Sequence, residues 1–328
     1  MDLVKAPLRI SYVGGGTDYP EFYRHHEGAG VIAAAIDQYV YLYAHPLSEV
    51  AEENIRFTYR ETESVSEIED LRHPVMREML RHANWNLRTN FGTFADLPSG
   101  VGLGGSSSFA VALATLILKS KGTSLDPHVV ARLAVRVERE ILKEPGGIQD
   151  QYVTSFGKIR EYRFTEEKVI VSDSILDAPQ TLYLENCQIL LWLGESRNSN
   201  LFATKTKDSI QNNNQYLIET RDLFQFTSQE LRRSKSPESK FIILRESVRI
   251  GWELKKNFTL EPNPKIKSIE TVLANYKDIA MKLCGAGGSG FLLLLGEREL
   301  LSELMLELKS YRFIFPKISS GVERVSQI

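Results

Sequence analysis

Residues 97–122 of the 328-residue chain read LPSGVGLGGSSSFAVALATLILKSKG, a glycine- and serine-rich turn set directly against a long apolar run. Glycine at that density gives up helix stability in exchange for backbone freedom. From Ser106 onward the run has helical length and stops at Gly122, a natural C-cap. Such a turn either lets two elements pack closely or forms an anion site. In the second case the first helical N–H groups, which lack intrahelical partners, and the positive end of the dipole face a phosphate. Serine hydroxyls at that point also reach a magnesium ion bridging phosphates. The segment alone leaves both readings open.

Gly100, Gly102 and Gly105 satisfy G-x-G-x-x-G, and so do Gly285, Gly287 and Gly290. A dinucleotide site needs strand, glycines, helix and then an acidic residue ending a second strand about 20 residues on. The first match is followed after its helix by KSKGTSLD, and the second runs into the apolar stretch FLLLL, so neither has that context. No G-x-x-x-x-G-K-[ST] is present, which excludes a P-loop.

Three other stretches carry candidate chemistry. APLRISYVGGGTDYPEF (6–22) runs a strand into three glycines and offers Thr17 and Asp18. A carboxylate there can accept two hydrogen bonds from sugar hydroxyls, or simply cap a turn. VEREILKEPGGIQDQYVTSFG (137–157) places Glu138 on a helix and Asp150 after a Gly-Gly turn. The two carboxylates can converge as metal ligand and proton acceptor, or Glu138 can be a solvated helix charge. KLCGAGGSGFLLLL (282–295) supplies a second glycine loop, able to approach a ligand or to make a hairpin-like turn.

The length favours two domains, and the best boundary is a composition shift near Asp177–Pro179, giving 1–178 and 179–328. A net charge of -2 argues against a nucleic-acid partner, whose phosphates would demand a basic excess. Cys187 and Cys284 stand far apart, without metal-ligand or disulfide-framework spacing, as suits a reducing compartment. The N-terminus has no signal-peptide pattern and no apolar run approaches bilayer length, so a soluble, cytoplasmic protein without a membrane partner is expected.

Periodicity predicts a strand over 8–13 and a helical or buried start at GVIAAAI before a strand YVYLYA. It predicts a helix around Pro74 with a break there, and a helix from Pro127 capped by Asp126. Beyond Gly157 it predicts strands at KIREYRF, KVIVS, TLYLE and CQILLWLG, then polar helices, and then a strand–helix–strand tail.

Taken together and in this order, APLRISYVGGGTDY, LPSGVGLGGSSSFAVAL and KLCGAGGSGFLLLL resemble the GHMP kinase superfamily, which includes galactokinase, homoserine kinase and mevalonate kinase. PLRISYVGGGTD, EPGGIQDQY, GWELKKNF and GAGGSGFLLL are more similar still to its D-glycero-D-manno-heptose 7-phosphate (or 1-phosphate) kinase branch. The resemblance implies an α+β, two-domain fold: an N-terminal ATP-binding domain like the second domain of ribosomal protein S5, and a ferredoxin-like C-terminal domain.

It also implies ATP and Mg²⁺ as cofactors, and transfer of phosphate to the anomeric hydroxyl of the heptose 7-phosphate to give the 1,7-bisphosphate. By motif, Gly100, Gly102, Leu103, Gly104 and Gly105 with Ser106, Ser107 and Ser108 would bind ATP. Ser106 and Glu138 would hold magnesium, Asp150 would be the catalytic carboxylate, and Arg9 would assist it. Gly15, Gly16, Thr17 and Asp18, together with Arg197, Gly287 and Gly288, would bind the sugar. Gly105 and Ser289 depart from the family pattern, and 193–207 matches the heptose kinase segment only through Ser196 and Arg197. The departures touch substrate identity more than reaction type. Another kinase of the superfamily, acting on fucose, galactose or another sugar phosphate, is the alternative. A non-catalytic sugar or nucleotide sensor would be expected to lack Asp150, Glu138 or the loop serines.

Overall fold

The computed structural model describes residues 1–195, 204, 207, 210, 214–258, 263–285 and 287–325. Two sheets organise them. The first is built from β1 (Asp2–Val13), β2 (Gly30–Pro46), β3 (Ile55–Thr58), β4 (Thr62–Val65), β5 (Thr89–Ala95), β6 (Ile159–Phe164) and β7 (Val169–Val171). The second is built from β8 (Gln188–Trp192), β9 (Ala280–Leu283), β10 (Phe291–Leu295) and β11 (Arg312–Ile314). The chain then returns to the first sheet as β12 (Glu323–Val325). The first sheet runs β12-β1-β2-β5-β3-β4, with β6 and β7 continuing from the N-terminal part of β2, and only the β3–β5 pair is parallel among the described strands. The second sheet runs β11-β8-β10-β9, antiparallel throughout.

GVIAAAI is strand from its first residue, not helix. Its apolar run is continuous because both faces are covered: Ile32, Ala34 and Ile36 enter one core, while Val31, Ala33 and Ala35 enter another. A strand buried on two sides loses the alternation that identifies strands in sequence. TLYLE, expected as a strand, lies in a helix (Ala178–Asn186). A reciprocal capping box between Asp177 and Gln180, with proline in the first turn, starts that helix and overrides the β-branched and aromatic content. Pro74 begins helix Pro74–His82 rather than breaking one.

The glycine-serine segment opens helix Gly105–Ser120, which is buried continuously from Ser107 to Leu118 and packs on β1 and β2. A register shift between Pro7 and Leu8 kinks β1. The Pro7 carbonyl there accepts Ser108 Oγ at 2.8 Å and Thr154 Oγ1 at 3.0 Å. Helix Pro127–Val135, capped by Asp126 as expected, loosens into a π-helical turn over Arg136–Ile141. In the second sheet alternate residues again divide the work. Leu190, Leu293 and Leu295 face the core shared with the first sheet, while Ile189, Leu191, Leu292 and Leu294 face helices Pro264–Leu273 and Arg298–Glu307. No described helix is long and apolar enough to cross a membrane.

Candidate active site

A cleft of about 610 Å³ lies where the three glycine segments meet, floored by the end of β1 and the start of helix Gly105–Ser120. Gly14, Gly15 and Gly16 have φ of 88°, 102° and 82°, a left-handed run that a side chain would strain. The bend carries Asp18 into the interior, where it is 1% exposed yet still contributes to the cleft wall. Its Oδ1 accepts the Gly16 N–H at 3.0 Å and its Oδ2 accepts the Gln149 N–H at 3.2 Å. It therefore joins two loops 131 residues apart, which is more than a local turn cap. Burial, followed by the charge of Asp150, pushes its carboxyl up to about 6.

Arg9 and Asp150, 141 residues apart, form a bidentate pair: Nε to Oδ1 at 2.6 Å and Nη2 to Oδ2 at 2.8 Å. The remaining terminal nitrogen, Nη1, donates to the Gly102 carbonyl at 2.8 Å, so one guanidinium fixes both the catalytic candidate and the first glycine loop. Gly104 sits left-handed (φ 82°) at the helix N-cap with no side chain capping it. A Cβ on Gly104 would lie 3.2 Å from Asp150 Oδ2. The uncapped helix start and the candidate proton acceptor thus share one wall.

The expected residues divide by position. Gly15, Gly16, Gly100, Gly102, Gly104, Gly105, Ser106 and Ser107 line the cleft with Arg9, Asp18 and Asp150. Thr17 turns away and donates to the Gly30 carbonyl at 3.0 Å. Leu103 is core, and Ser108 is committed to Pro7. Gly287 and Gly288 lie outside the lining, whereas Gly285 belongs to it. Gly290 serves the site through its backbone: a Cβ there would come within 2.3 Å of the Val101 carbonyl, so the two glycine loops touch. Arg197 and Ser196 lie outside the described residues.

Glu138 is fully buried and pairs with Ser107 rather than with Ser106. Its Oε2 accepts Gln151 Nε2 at 2.6 Å, and its Oε1 accepts Ser107 Oγ at 3.3 Å. Burial pushes this carboxyl up, against the nearby Arg139 and its two hydrogen bonds. A hydroxyl and a carboxylate are the oxygen donors a hard cation takes, and Gln151 Oε1 is buried without a partner beside them. The donor set fits magnesium chemically, with Ser106 on the cleft and Glu138 one side chain behind it.

Sequence reasoning missed three charged residues of the cleft wall, Lys282, Arg139 and Glu144, whereas Lys255 was a candidate partner for a substrate phosphate. Lys282, 6% exposed, donates to the Tyr12 and Gly14 carbonyls at 3.2 and 3.1 Å and holds the triple-glycine bend. Burial pulls its ammonium down to about 8. Lys255 donates to the Leu283 and Gly285 carbonyls and so positions the last glycine loop. Arg139 and Glu144 flank the Pro145–Gly147 turn. Lysine in an apolar strand (Lys282 in MKLC) was the one visible signal, since such a charge needs a buried partner.

Residues 72–158 match the family described as GHMP kinases N terminal domain. D-glycero-alpha-D-manno-heptose 7-phosphate kinase of Campylobacter jejuni is 28% identical over 203 residues, covering 56% of this chain and 59% of that protein. The galactokinase of Pyrococcus furiosus is 28% identical over 161 residues, 47% of this chain and 44% of that protein. The matched stretches thus span less than two thirds of these relatives. Among solved structures, a D-glycero-D-manno-heptose 1-phosphate kinase from Bacteroides thetaiotaomicron superposes with a TM-score of 0.78 at 20% identity, over 100% of both chains. Galactokinase of Lactococcus lactis superposes at 0.73 and 14% identity, over 99% of this chain and 95% of that one. The fold is the α+β fold these kinases share, and the matched span contains the glycine-serine loop, Glu138 and Asp150. Residues 72–158 are thus similar to the N-terminal domain of the GHMP kinases.

Proposed function

We propose that the protein is an ATP-dependent kinase that phosphorylates the anomeric hydroxyl of D-glycero-D-manno-heptose 7-phosphate, yielding the 1,7-bisphosphate. The observation that carries this reading is the Arg9–Asp150 pair, set beside an uncapped helix N-terminus in the wall of a cleft that Asp18 also lines. Residues 1–178 would supply the nucleotide half and 179–328 the closing half, in a cytoplasmic enzyme.

Phosphoryl transfer asks a protein chiefly for positioning and charge neutralisation. The first-turn N–H groups of helix Gly105–Ser120 and the Ser106 hydroxyl would receive the ATP phosphates. Ser106 and Glu138 would hold magnesium, which when bound would supply positive charge against the phosphates. Asp18 would accept hydrogen bonds from sugar hydroxyls and turn the anomeric oxygen toward Asp150. That oxygen forms a bond to the γ-phosphorus as the bridging P–O bond breaks and ADP leaves. Its proton passes to Asp150, whose carboxylate Arg9 holds in place.

A coupled ADP assay over heptose 7-phosphate, free heptose, galactose, fucose and mannose 6-phosphate tests the reading. Turnover is expected to be highest on heptose 7-phosphate. The galactokinase relatives make a neutral hexose the second reading, and highest turnover on galactose would favour it. No turnover on any sugar would return the protein to a sensor.

The burial of Asp18 adds a pH dependence. Both of its oxygens can accept hydroxyl hydrogen bonds only when the carboxyl is ionised, so kcat/KM for the sugar is expected to fall about tenfold per unit below pH 6. The KM for ATP should not follow. Because the folded value lies above the ordinary one, the stability this group contributes is full below about pH 4 and is lost as pH rises through about 6. A sugar kcat/KM that stays flat from pH 7 to pH 5 would remove Asp18 from substrate binding.

A further inference from the structure

Arg139 stands beside Asp18 with only the Gly147 turn between them. Its Nε donates to the Gly147 carbonyl at 3.1 Å, and the Asp18 carboxylate packs against the other side of Gly147, where a Cβ would sit 1.8 Å from Oδ2. Gly146 runs past the guanidinium, so that a Cβ there would lie 3.0 Å from Nη2. The Arg139 side chain is 14% exposed and belongs to the cleft lining. Its ion pair with Glu144 is 3.8 Å long, beyond hydrogen-bond reach, and neither terminal nitrogen hydrogen-bonds to another described residue.

Among the described residues, the other lysine and arginine side chains lining the cleft are committed. Arg9 is held by Asp150 and Gly102, Lys282 by the Tyr12 and Gly14 carbonyls, and Lys255 by those of Leu283 and Gly285. A guanidinium presents its donors as a planar fork that matches two oxygens of a phosphate. On the kinase reading above, we propose that Arg139 seats a second anionic group of the sugar, a phosphate monoester remote from the hydroxyl that is phosphorylated. Asp18 and Arg139 then read the two features that distinguish a sugar phosphate, its ring hydroxyls and its charge. A dianionic phosphate outcompetes the distant Glu144 carboxylate for the fork by charge and by number of acceptors.

The test is calorimetric binding of D-glycero-D-manno-heptose 7-phosphate and of free heptose, without nucleotide, to wild type, Arg139→Gln and Arg139→Lys. Wild type is expected to bind the phosphate about tenfold to a hundredfold more tightly, the range for hydrogen bonds to charged groups. Arg139→Gln should bring that ratio close to one, lowering the affinity for the phosphate far more than that for free heptose. Arg139→Lys keeps the charge without the fork and should fall between. Equal affinities in wild type, no binding of the phosphate, or a ratio that survives Arg139→Gln overturns the proposal. Should the glutamine variant not fold, the ratios in wild type and Arg139→Lys decide. Binding is read without turnover, so a protein that seats heptose phosphate on Arg139 but transfers nothing would defeat the kinase reading alone. Turnover indifferent to Arg139 would defeat this one alone.

Discussion

Asp150→Asn is expected to lower kcat by at least about a hundredfold, the low end for a positioned general base, while ATP still binds. Asparagine keeps the size of the side chain and one oxygen for Arg9, but it cannot take the proton of the attacking hydroxyl. The substitution also turns an N–H₂ group toward a guanidinium that is 6% exposed and was bonded to both carboxylate oxygens. Leaving part of a buried charge unpaired costs about 1–3 kcal/mol, so a fall in melting temperature should accompany the kinetic loss. Nucleotide affinity, measured on the folded fraction by titration with ATP, separates the two effects. Near-normal turnover would place the proton acceptor elsewhere. Arg9→Met should show the complementary pattern, with a larger stability loss and Asp150 free to leave its position.

The second large effect is expected at a residue with no side chain at all. Gly147→Ala would drive a methyl into the Asp18 carboxylate, since a Cβ at that position lies 1.8 Å from Oδ2 and 2.3 Å from Cγ. Asp18 cannot yield easily: it is buried, and its oxygens hold the Gly16 and Gln149 N–H groups. Overpacking of this kind typically costs about 1–3 kcal/mol, and here it also dislodges a carboxylate from two hydrogen bonds. The sugar KM should rise at least about tenfold, which is the loss of one charge-assisted hydrogen bond, with a smaller change in the KM for ATP. The double variant Gly147→Ala/Asp18→Ala isolates the clash. Removing the carboxylate should restore the melting temperature toward wild type without restoring sugar use. If the double variant is no more stable than Gly147→Ala, the clash is not with Asp18.

Local signals in the sequence were legible where the chain's own neighbours decide the outcome. Asp126 before Pro127, and the glycine stop after Ser120, mark helix ends by chemistry that acts within a few residues. The glycine loops announced themselves because several of their positions require left-handed backbone. Reading failed where distant contacts decide. Ala33–Ala35 read as helix or buried segment because elements far away in sequence cover both faces of β2. The choice between Ser106 and Ser107 as the partner of Glu138 depends on the phase of one helix against a π-helical turn, and no spacing rule gives that. Thr17, adjacent to Asp18, seemed part of the same binding face, but successive residues on an irregular bend point in different directions and Thr17 points to Gly30. Nothing in the sequence singles out Arg139; only the fold brings the Gly146–Gly147 turn and Asp18 against it.

The return of β12 to the first sheet has a consequence for biosynthesis. Residues 317–325 lie along β1 and β2: Lys317 N–H reaches Asp37, Lys158 N–H reaches the Ser319 carbonyl, and Leu3 pairs with Val325. Gly157 meets Ser320 and Gly321 so closely that a Cβ there would lie 2.0 Å from backbone. All of these partners are translated after the second sheet is complete. While the ribosome is still adding residues beyond Trp192, β1 has a bare edge, with backbone donors and acceptors open to another chain. The nascent N-terminal half must therefore wait, exposed to pairing errors or sheltered by a chaperone, until the last strand arrives to close it.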